Sequence, residues 1–478
     1  MQNLPTKLFT GGLILLFGTI CIFWVVVPGA IKWKVTQTLR FEDGNEIFEE
    51  FTNIKVEILF KVFIFNVTNP DDVASGKSLP KLDEIGPYVY EEKRTNIPVH
   101  LDPENDTFTY QSTVVFHFRP DLSAGSDEDV ITVLNVPIVA VANELNNWSR
   151  MIRYMAKAYI TSFQEPLFVE RKVRTVLFDG VHLELIESVS DILGMNYLPN
   201  NTFGYFYEKN ATITPNYVVH AGVQDNSKFG KIITWKGQEK LDIWNGEHCN
   251  MINGSDTSLY PPFITKDSIL RGYEADICRS VYMVFKKEDQ VNGINGLRFG
   301  LPEDFFDGNS SYNECFCSES DKSKCPKNGA LSISACRWGA PLFISHPHFL
   351  YGDPSYNELT GLSPGIPEIH ESYAILEPTT GAVLKGSRRM QLNIQMRKSK
   401  DIPELNNVQD ALVPLFWVDD AAVQPDRTLD DLRWRMVIPL KVVEVSKWFM
   451  LCSSSILILV AISIFMLRSK NKKPVEYY

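Results

Sequence analysis

The sequence lacks the short motifs by which catalytic sites usually announce themselves. It has no Gly-x-Ser-x-Gly elbow, no P-loop, no Gly-x-Gly-x-x-Gly and no His-Glu-x-x-His. A strained nucleophile, a phosphate cradle, a dinucleotide turn and a zinc-protease helix are each left without a carrier. Histidine is scarce, with 8 in 478 residues, and only His346-Pro347-His348 brings two close together. If extended, that pair would share a face and could hold a metal, but no third ligand stands near it. A structural role is expected for it, and no catalytic residue, cofactor or metal site is expected in the chain. Positive charge is short too. The net charge is −11, and since the tail from Arg468 carries +3 and Lys7 carries +1, the stretch between them carries −15. So acidic a body is a poor polyanion binder, which argues against nucleic acid as a partner. No internal repeat or low-complexity tract stands out either.

What the chain does have is two long apolar runs. Leu8 to Val27 and Trp448 to Leu467 each hold twenty residues without a charge. At ~1.5 Å per helical residue, each is long enough to cross the ~30 Å hydrocarbon layer of a bilayer. The first run exceeds the apolar part of a signal peptide, and Pro28-Gly29-Ala30 is a poor cleavage site, so an uncleaved anchor is expected. Two spans put both termini on one side. The basic cluster Arg468, Lys470, Lys472 and Lys473 argues that this side is cytosolic, although Lys32, Lys34 and Arg40 oppose the rule at the first span. The expected organisation is a cytosolic N-terminus at 1–7, a span at 8–27, an ectodomain at 28–447, a span at 448–467 and a cytosolic tail at 468–478.

Cysteine usage agrees with that topology. Six of the eight cysteines fall between Cys249 and Cys336, and the other two, Cys21 and Cys452, lie inside the apolar runs. Glycosylation acceptor sequences begin at Asn66, Asn105, Asn147, Asn200, Asn210, Asn253 and Asn309, all between the spans. Both features belong to the oxidising, secretory side of a membrane, and three disulfides are the natural reading. Fifteen pairings are possible, and spacing alone does not choose among them. Zinc is the rival use of such a cluster, but Cys315-Phe316-Cys317 has one residue between its thiols where structural sites prefer two to four.

The periodicities describe a β-rich body. In Lys55–Thr68, Val56, Ile58, Phe60, Val62 and Ile64 alternate onto one face, as a long strand requires. Strands are also expected at 112–118, 280–285, 341–345, 373–376 and 390–396, with Thr379-Thr380-Gly381 as a hairpin turn. The clearest helix is 144–163, where Trp148, Met151, Ile152, Met155, Ala158 and Tyr159 make an apolar stripe and Arg150, Arg153 and Lys157 a basic one. A second helix is expected over 176–189, weakened by Gly180. Many strands with few long helices imply an α+β domain built on a large antiparallel sheet or barrel decorated by helices.

Several phrases together are similar to those of a known family. Phe65-Asn66-Val67-Thr68-Asn69-Pro70, Gly86-Pro87-Tyr88-Val89-Tyr90, Cys249-Asn250-Met251-Ile252-Asn253-Gly254-Ser255-Asp256, Cys278-Arg279-Ser280 and Pro347-His348-Phe349-Leu350 resemble the class B scavenger receptors. That family includes the fatty acid translocase and the lysosomal integral membrane protein. Leu177-Phe178-Asp179-Gly180-Val181 and Val413-Pro414-Leu415-Phe416-Trp417-Val418-Asp419 look most like insect sensory neuron membrane proteins. The resemblance implies an antiparallel β-barrel ectodomain with a membrane-distal helical bundle and a hydrophobic tunnel leading toward the bilayer. It implies the disulfides Cys249–Cys315, Cys278–Cys336 and Cys317–Cys325. It also implies ligands such as fatty acids, cholesteryl esters, lipoproteins or lipid-derived pheromones.

In that family the 144–163 region admits the ligand. Trp148, Met151 and Met155, with Arg150, Arg153 and Lys157, are the candidates here. The lysines that follow this helix in the fatty acid translocase are missing, because this chain reads Thr161-Ser162-Phe163-Gln164-Glu165-Pro166. The tail also lacks a dileucine signal, which favours the plasma membrane or, in the sensory branch, the cilium. The expected function is capture of a lipophilic ligand and delivery through a tunnel to the membrane or to a partner such as an odorant receptor. The alternative is a docking receptor whose apical helices bind another protein, and a continuous apolar channel would discriminate the two.

Overall fold

The computed structural model describes residues 4–145, 148–193, 198–317 and 325–470. The chain divides into two units, Met1–Leu39 with Asp426–Tyr478, and Arg40–Pro425.

The first unit consists of two long helices, Leu4–Thr38 and Asp426–Ser469, each apolar enough over an 18-residue window to cross a membrane. Both continue past the apolar runs, because a helix needs backbone hydrogen bonds rather than apolar side chains to extend. They meet through small residues. Gly12 and Thr19 on one helix and Ser454 and Ala461 on the other are buried. A Cβ on Gly12 would lie 2.7 Å from Ile458 Cγ1. In lipid, where apolar surface alone does not drive association, such small residues let two backbones approach.

The second unit is organised on one 13-stranded antiparallel sheet. Its strands in chain order are β1 (Glu57–Val67), β2 (Leu82–Asp102), β3 (Thr107–Phe118), β4 (Tyr217–His220), β5 (Ile232–Trp235), β6 (Leu270–Glu274), β7 (Arg279–Val291), β8 (Ile294–Gly300), β9 (Leu331–Ser332), β10 (Leu342–Ser345), β11 (Tyr373–Leu376), β12 (Val383–Met396) and β13 (Ala411–Val423). The hydrogen-bonded order is β6-β7-β8-β11-β12-β13-β1-β2-β3-β4-β5, with the β9–β10 hairpin attached to β12. The two ends of this order, β5 and β6, are joined by one short stitch. Ile232 N–H donates to Gly254 O at 2.8 Å, Ser255 N–H to Arg271 O at 3.2 Å, and Tyr273 N–H to Ser255 O at 2.8 Å. The sheet is thereby nearly closed, which removes the exposed edges that would otherwise pair with other chains. Only glycine fits the stitch: Gly254 has φ +88°, and a Cβ there would stand 2.0 Å from Arg271 O.

The three longest helices of this unit among the described residues lie in the segment between β3 and β4. They are α1 (Val136–Leu145), α2 (Arg150–Ser162) and α3 (Glu184–Leu193), and shorter ones stand at Glu46–Thr52, Pro70–Ala74, Ser355–Thr360 and Pro367–His370. The single helix expected over 144–163 is therefore two, with Trp148 and Ser149 outside either. The α1 sequence, Val-Pro-Ile-Val-Ala-Val-Ala, is apolar on all sides and so carries no helical stripe to read. Its burial explains that composition, since seven of its ten residues are inaccessible. The 176–189 helix is also broken. A π turn, Thr175–Asp179, ends at Gly180 (φ +72°), and regular helix resumes only at Glu184. Gly180 is packed against Thr202, where a Cβ would sit 2.6 Å from Cγ2.

Candidate functional site

Register identifies the inside of the barrel. Phe60 pairs with Tyr90 on one side and Asp420 on the other, and Asp420 pairs with Arg388, so these four share one face of the sheet. Arg388 is ion-paired with Glu274, at the end of β6 and four strands away along the sheet. Side chains that far round the circumference meet only across the enclosed side. This face is the lumen.

One level of the lumen is aromatic. Phe60 meets Phe116 at 5.3 Å and Phe206 at 5.1 Å, Tyr205 meets Phe416 at 4.6 Å, and Tyr90 meets Phe118 at 5.3 Å. Phe116, Phe118, Tyr205 and Phe206 are only partly buried although they face inward, so they border open space.

The adjoining level is charged. Arg388 Nη2 lies 2.7 Å from Asp420, and Arg94 Nη2 lies 2.7 Å from Glu92. Lys209 is bonded to Asp276, whose backbone carbonyl accepts from Arg337 at 2.6 Å. Arg388, Lys209 and Asp276 keep 37%, 34% and 41% of their side-chain surface uncovered, so they are not packed over. Burial pushes the Glu92 carboxyl up against the pull of Arg94. For Asp276, burial would do the same, but Lys209 and Arg337 outweigh it and hold the carboxyl well below the usual range. The inward face of the sheet is thus apolar at one level and lined by ion pairs at the next.

On the opposite, outer face, Lys61, Asp419 and Arg389 pair in register. They border two shallow cavities of about 430 and 240 Å³ that share Leu59 as well. The floor of the larger one is a Phe63–Trp417 stack at 3.9 Å.

The residues proposed to admit ligand do not act as one surface. Trp148 packs on the core, whereas Met151 is 75% exposed and Tyr154 beside it 78%. Met151 therefore stands on the exposed side of α2. Arg150 is exposed. Arg153 donates to Trp148 O at 3.1 Å and lies 3.9 Å from Asp401, and Lys157 donates to Lys400 O. Much of the basic stripe is thus spent tying the 397–401 segment to α2. The side chain of Met155 lies outside the described residues.

Disulfides join Cys249 to Cys315, Cys278 to Cys336 and Cys317 to Cys325. His248 Nε2 stands 3.0 Å from Cys315 Sγ, but sulfurs bonded to each other offer no thiolate to a metal. Of the acceptor asparagines, Asn105, Asn200, Asn210 and Asn309 are exposed and Asn66 and Asn253 half-buried. Asn147 lies outside the described residues.

The two histidines of His346-Pro347-His348 do not share a face, because Pro347–Phe349 forms a tight turn with His348 at φ +54°. His346 is buried edge-on against Phe306 with neither ring nitrogen bonded, and burial pushes it down to about 3. His348 donates from Nδ1 to Ser363 O at 2.8 Å, pairs with Glu84 through Nε2 and stacks on His370 at 4.5 Å. Burial would lower its pKa, but Glu84 and the Ser363 carbonyl outweigh it and raise it.

Comparison with known proteins gives a consistent picture. A family model described as the CD36 family matches residues 9–465. Scavenger receptor class B member 1 of Bos taurus is 30% identical over 97% of this chain and 89% of its own length. Sensory neuron membrane protein 1 of Antheraea polyphemus is 30% identical over 95% and 89%, and lysosome membrane protein 2 of Mus musculus 30% identical over 85% and 84%. Identity is level across these three branches.

Proposed function

This chain belongs to the CD36 family, and from that premise we propose that it is a receptor and transfer protein rather than a catalyst. In this reading it takes a lipophilic ligand into the barrel and passes it to the membrane or to a partner receptor. The observation that carries the reading is the aromatic chamber, where Phe116, Phe118, Tyr205 and Phe206 face inward yet stay partly uncovered. Aromatic surface left open inside a domain of this size is costly unless something apolar covers it. The two candidate spans tie the ectodomain to the bilayer at both of its chain ends, which suits exchange between water and lipid. Long-chain fatty acids or lipid-derived pheromones suit a narrow aromatic chamber. Arg150 and Met151 would meet the ligand first. Both termini would be cytosolic, at the plasma membrane or, if this is a sensory protein, in the cilium with an odorant receptor as recipient. The test is to purify the full chain and identify co-purifying lipids by mass spectrometry. Substituting Phe206→Trp to fill the chamber should reduce them severalfold, and equal lipid content in the two proteins would refute the reading.

A second reading, a docking receptor, draws on α2. Met151 and Tyr154 stand exposed there beside Arg150, and exposed aromatic and sulfur side chains beside an arginine are typical protein anchors. Tyr154→Ser should then weaken capture of a partner while leaving the lipid content unchanged.

A further inference from the structure

The charged level of the lumen needs a reason beyond folding. Ion pairs taken out of water are at best neutral for stability against apolar residues of the same size, so the fold itself does not call for them. They come from opposite sides of the barrel. Arg388 on β12 reaches Glu274 on β6, and Arg94 and Glu92 stand on β2. The charges begin where the aromatics end. Asp420 is the register partner of Phe60, Glu92 is the partner of Phe116, and Lys209 lies 5.9 Å from the centre of the Phe206 ring. A ligand tail resting in the aromatic chamber would therefore have its end at this ring of charges. Arg388, Lys209 and Asp276 are each about a third or more uncovered, so they can hydrogen-bond a guest without first breaking their ion pairs.

Resting on the transfer reading above, we propose that this charged girdle is a head-group site that selects what the barrel carries. It accepts long-chain amphiphiles ending in a single small hydrogen-bonding group, a carboxylic acid or an alcohol. It turns back lipids with no such group, such as steryl esters. The physical reason is asymmetric. An acid or alcohol replaces the water on Arg388, Lys209 and Asp276 with hydrogen bonds of its own, whereas an ester-linked apolar lipid strips that water and returns nothing. The girdle as a whole is close to electrically balanced, since Arg94, Arg388, Lys209 and Arg337 stand among Glu92, Glu274, Asp276 and Asp420. Discrimination should therefore follow hydrogen-bonding capacity rather than the sign of the head-group charge.

The test uses the full chain in detergent and three photoactivatable probes with one C16 chain in common: the acid, the alcohol and the cholesteryl ester. Labelled peptides are mapped by mass spectrometry. In the parent, acid and alcohol should label lumen peptides about tenfold or more over the ester, the cost of one buried polar group left unpaired. The triple variant Arg388→Met, Glu274→Gln, Asp420→Asn removes one charge set together, so that no partner is stranded. In it the ester should gain entry and the ratio should fall toward one. If the variant does not fold, Arg94→Gln with Glu92→Gln serves the same purpose at the other side of the ring. An unchanged ratio in a folded variant, or a parent that labels with acid but not alcohol, overturns the head-group site while leaving the transfer reading intact. A parent whose lumen no probe labels overturns both.

Discussion

Replacing Gly254 with alanine should destabilise the ectodomain far more than the same change elsewhere, and the structure says by how much. Two terms act at this position. The first is backbone strain, because φ +88° lies where an L side chain is disfavoured, costing on the order of 1–2 kcal/mol. The second is collision, because the new Cβ would lie 2.0 Å from Arg271 O and 2.1 Å from its carbonyl carbon. These are backbone atoms of the neighbouring strand, so the strand itself must move. Moving it endangers the bonds from Ser255 N–H to Arg271 O and from Tyr273 N–H to Ser255 O, at about 1 kcal/mol each. The total is roughly 3–4 kcal/mol, among the large effects for one substitution. Gly237 separates the two terms, since it has φ +76° and nothing within 4 Å of a built Cβ. Gly237→Ala should cost only the strain, about 1 kcal/mol. The Asn253-x-Ser255 acceptor survives in Gly254→Ala, so a glycosylation change does not confound the comparison. Tryptophan-fluorescence melting of both purified variants is the assay, with surface yield as a second readout. If Gly254→Ala melts within a degree of Gly237→Ala, the barrel does not close through this stitch and the reasoning fails.

Other consequences can be checked in parallel. His346 and His370 are buried and held neutral, pushed down to about 3 and about 4. The unfolded chain therefore takes up their protons first, and stability is lost as pH falls below about 6.5. For His346 alone the loss is roughly 2–3 kcal/mol between pH 6.5 and 4.5, so His346→Phe should flatten the acid limb of a Tm-versus-pH curve, and an unchanged limb would count against it. Serine at both Cys278 and Cys336 should cost more than serine at both Cys317 and Cys325, since the bridges close separations of 58 and 8 residues. The chain-entropy difference is about 1.8 kcal/mol in denaturant melts, and the reverse ranking would refute the estimate. Lys157→Gln should speed hydrogen exchange in 397–401 severalfold, while Arg150→Gln should leave it unchanged. Equal protection in both would mean that Lys157 does not hold that segment.

Local chemistry made part of this protein legible in its sequence. Leu8–Val27 and Trp448–Leu467 are long, uncharged and continuous, and a pattern of that kind needs no partner to be read. The alternation through Phe60, Val62 and Ile64 fixes which side of β1 is buried for the same reason. Crowding of six cysteines among glycosylation acceptors speaks of a compartment, which is a property of composition. Helices were less legible. α1 is buried all round and so shows no stripe, while the 144–163 stripe runs across a break that the pattern alone does not mark.

The candidate site was almost wholly a tertiary matter. Arg388 and Glu274 are 114 positions apart, and nothing near either names the other. They meet because β6 and β12 face each other across a closed sheet. Gly254 reads as a turn glycine inside an acceptor triplet, yet its conformation and its 2.0 Å clearance make it the residue that allows the sheet to close. Arg153 and Lys157 read as an exposed cationic face until the 397–401 segment folds back over α2 and takes them up. Periodicity reports which side of one element is buried, whereas the lumen, its charges and its closure depend on contacts between elements. Those contacts exist only once the chain has brought distant strands into register.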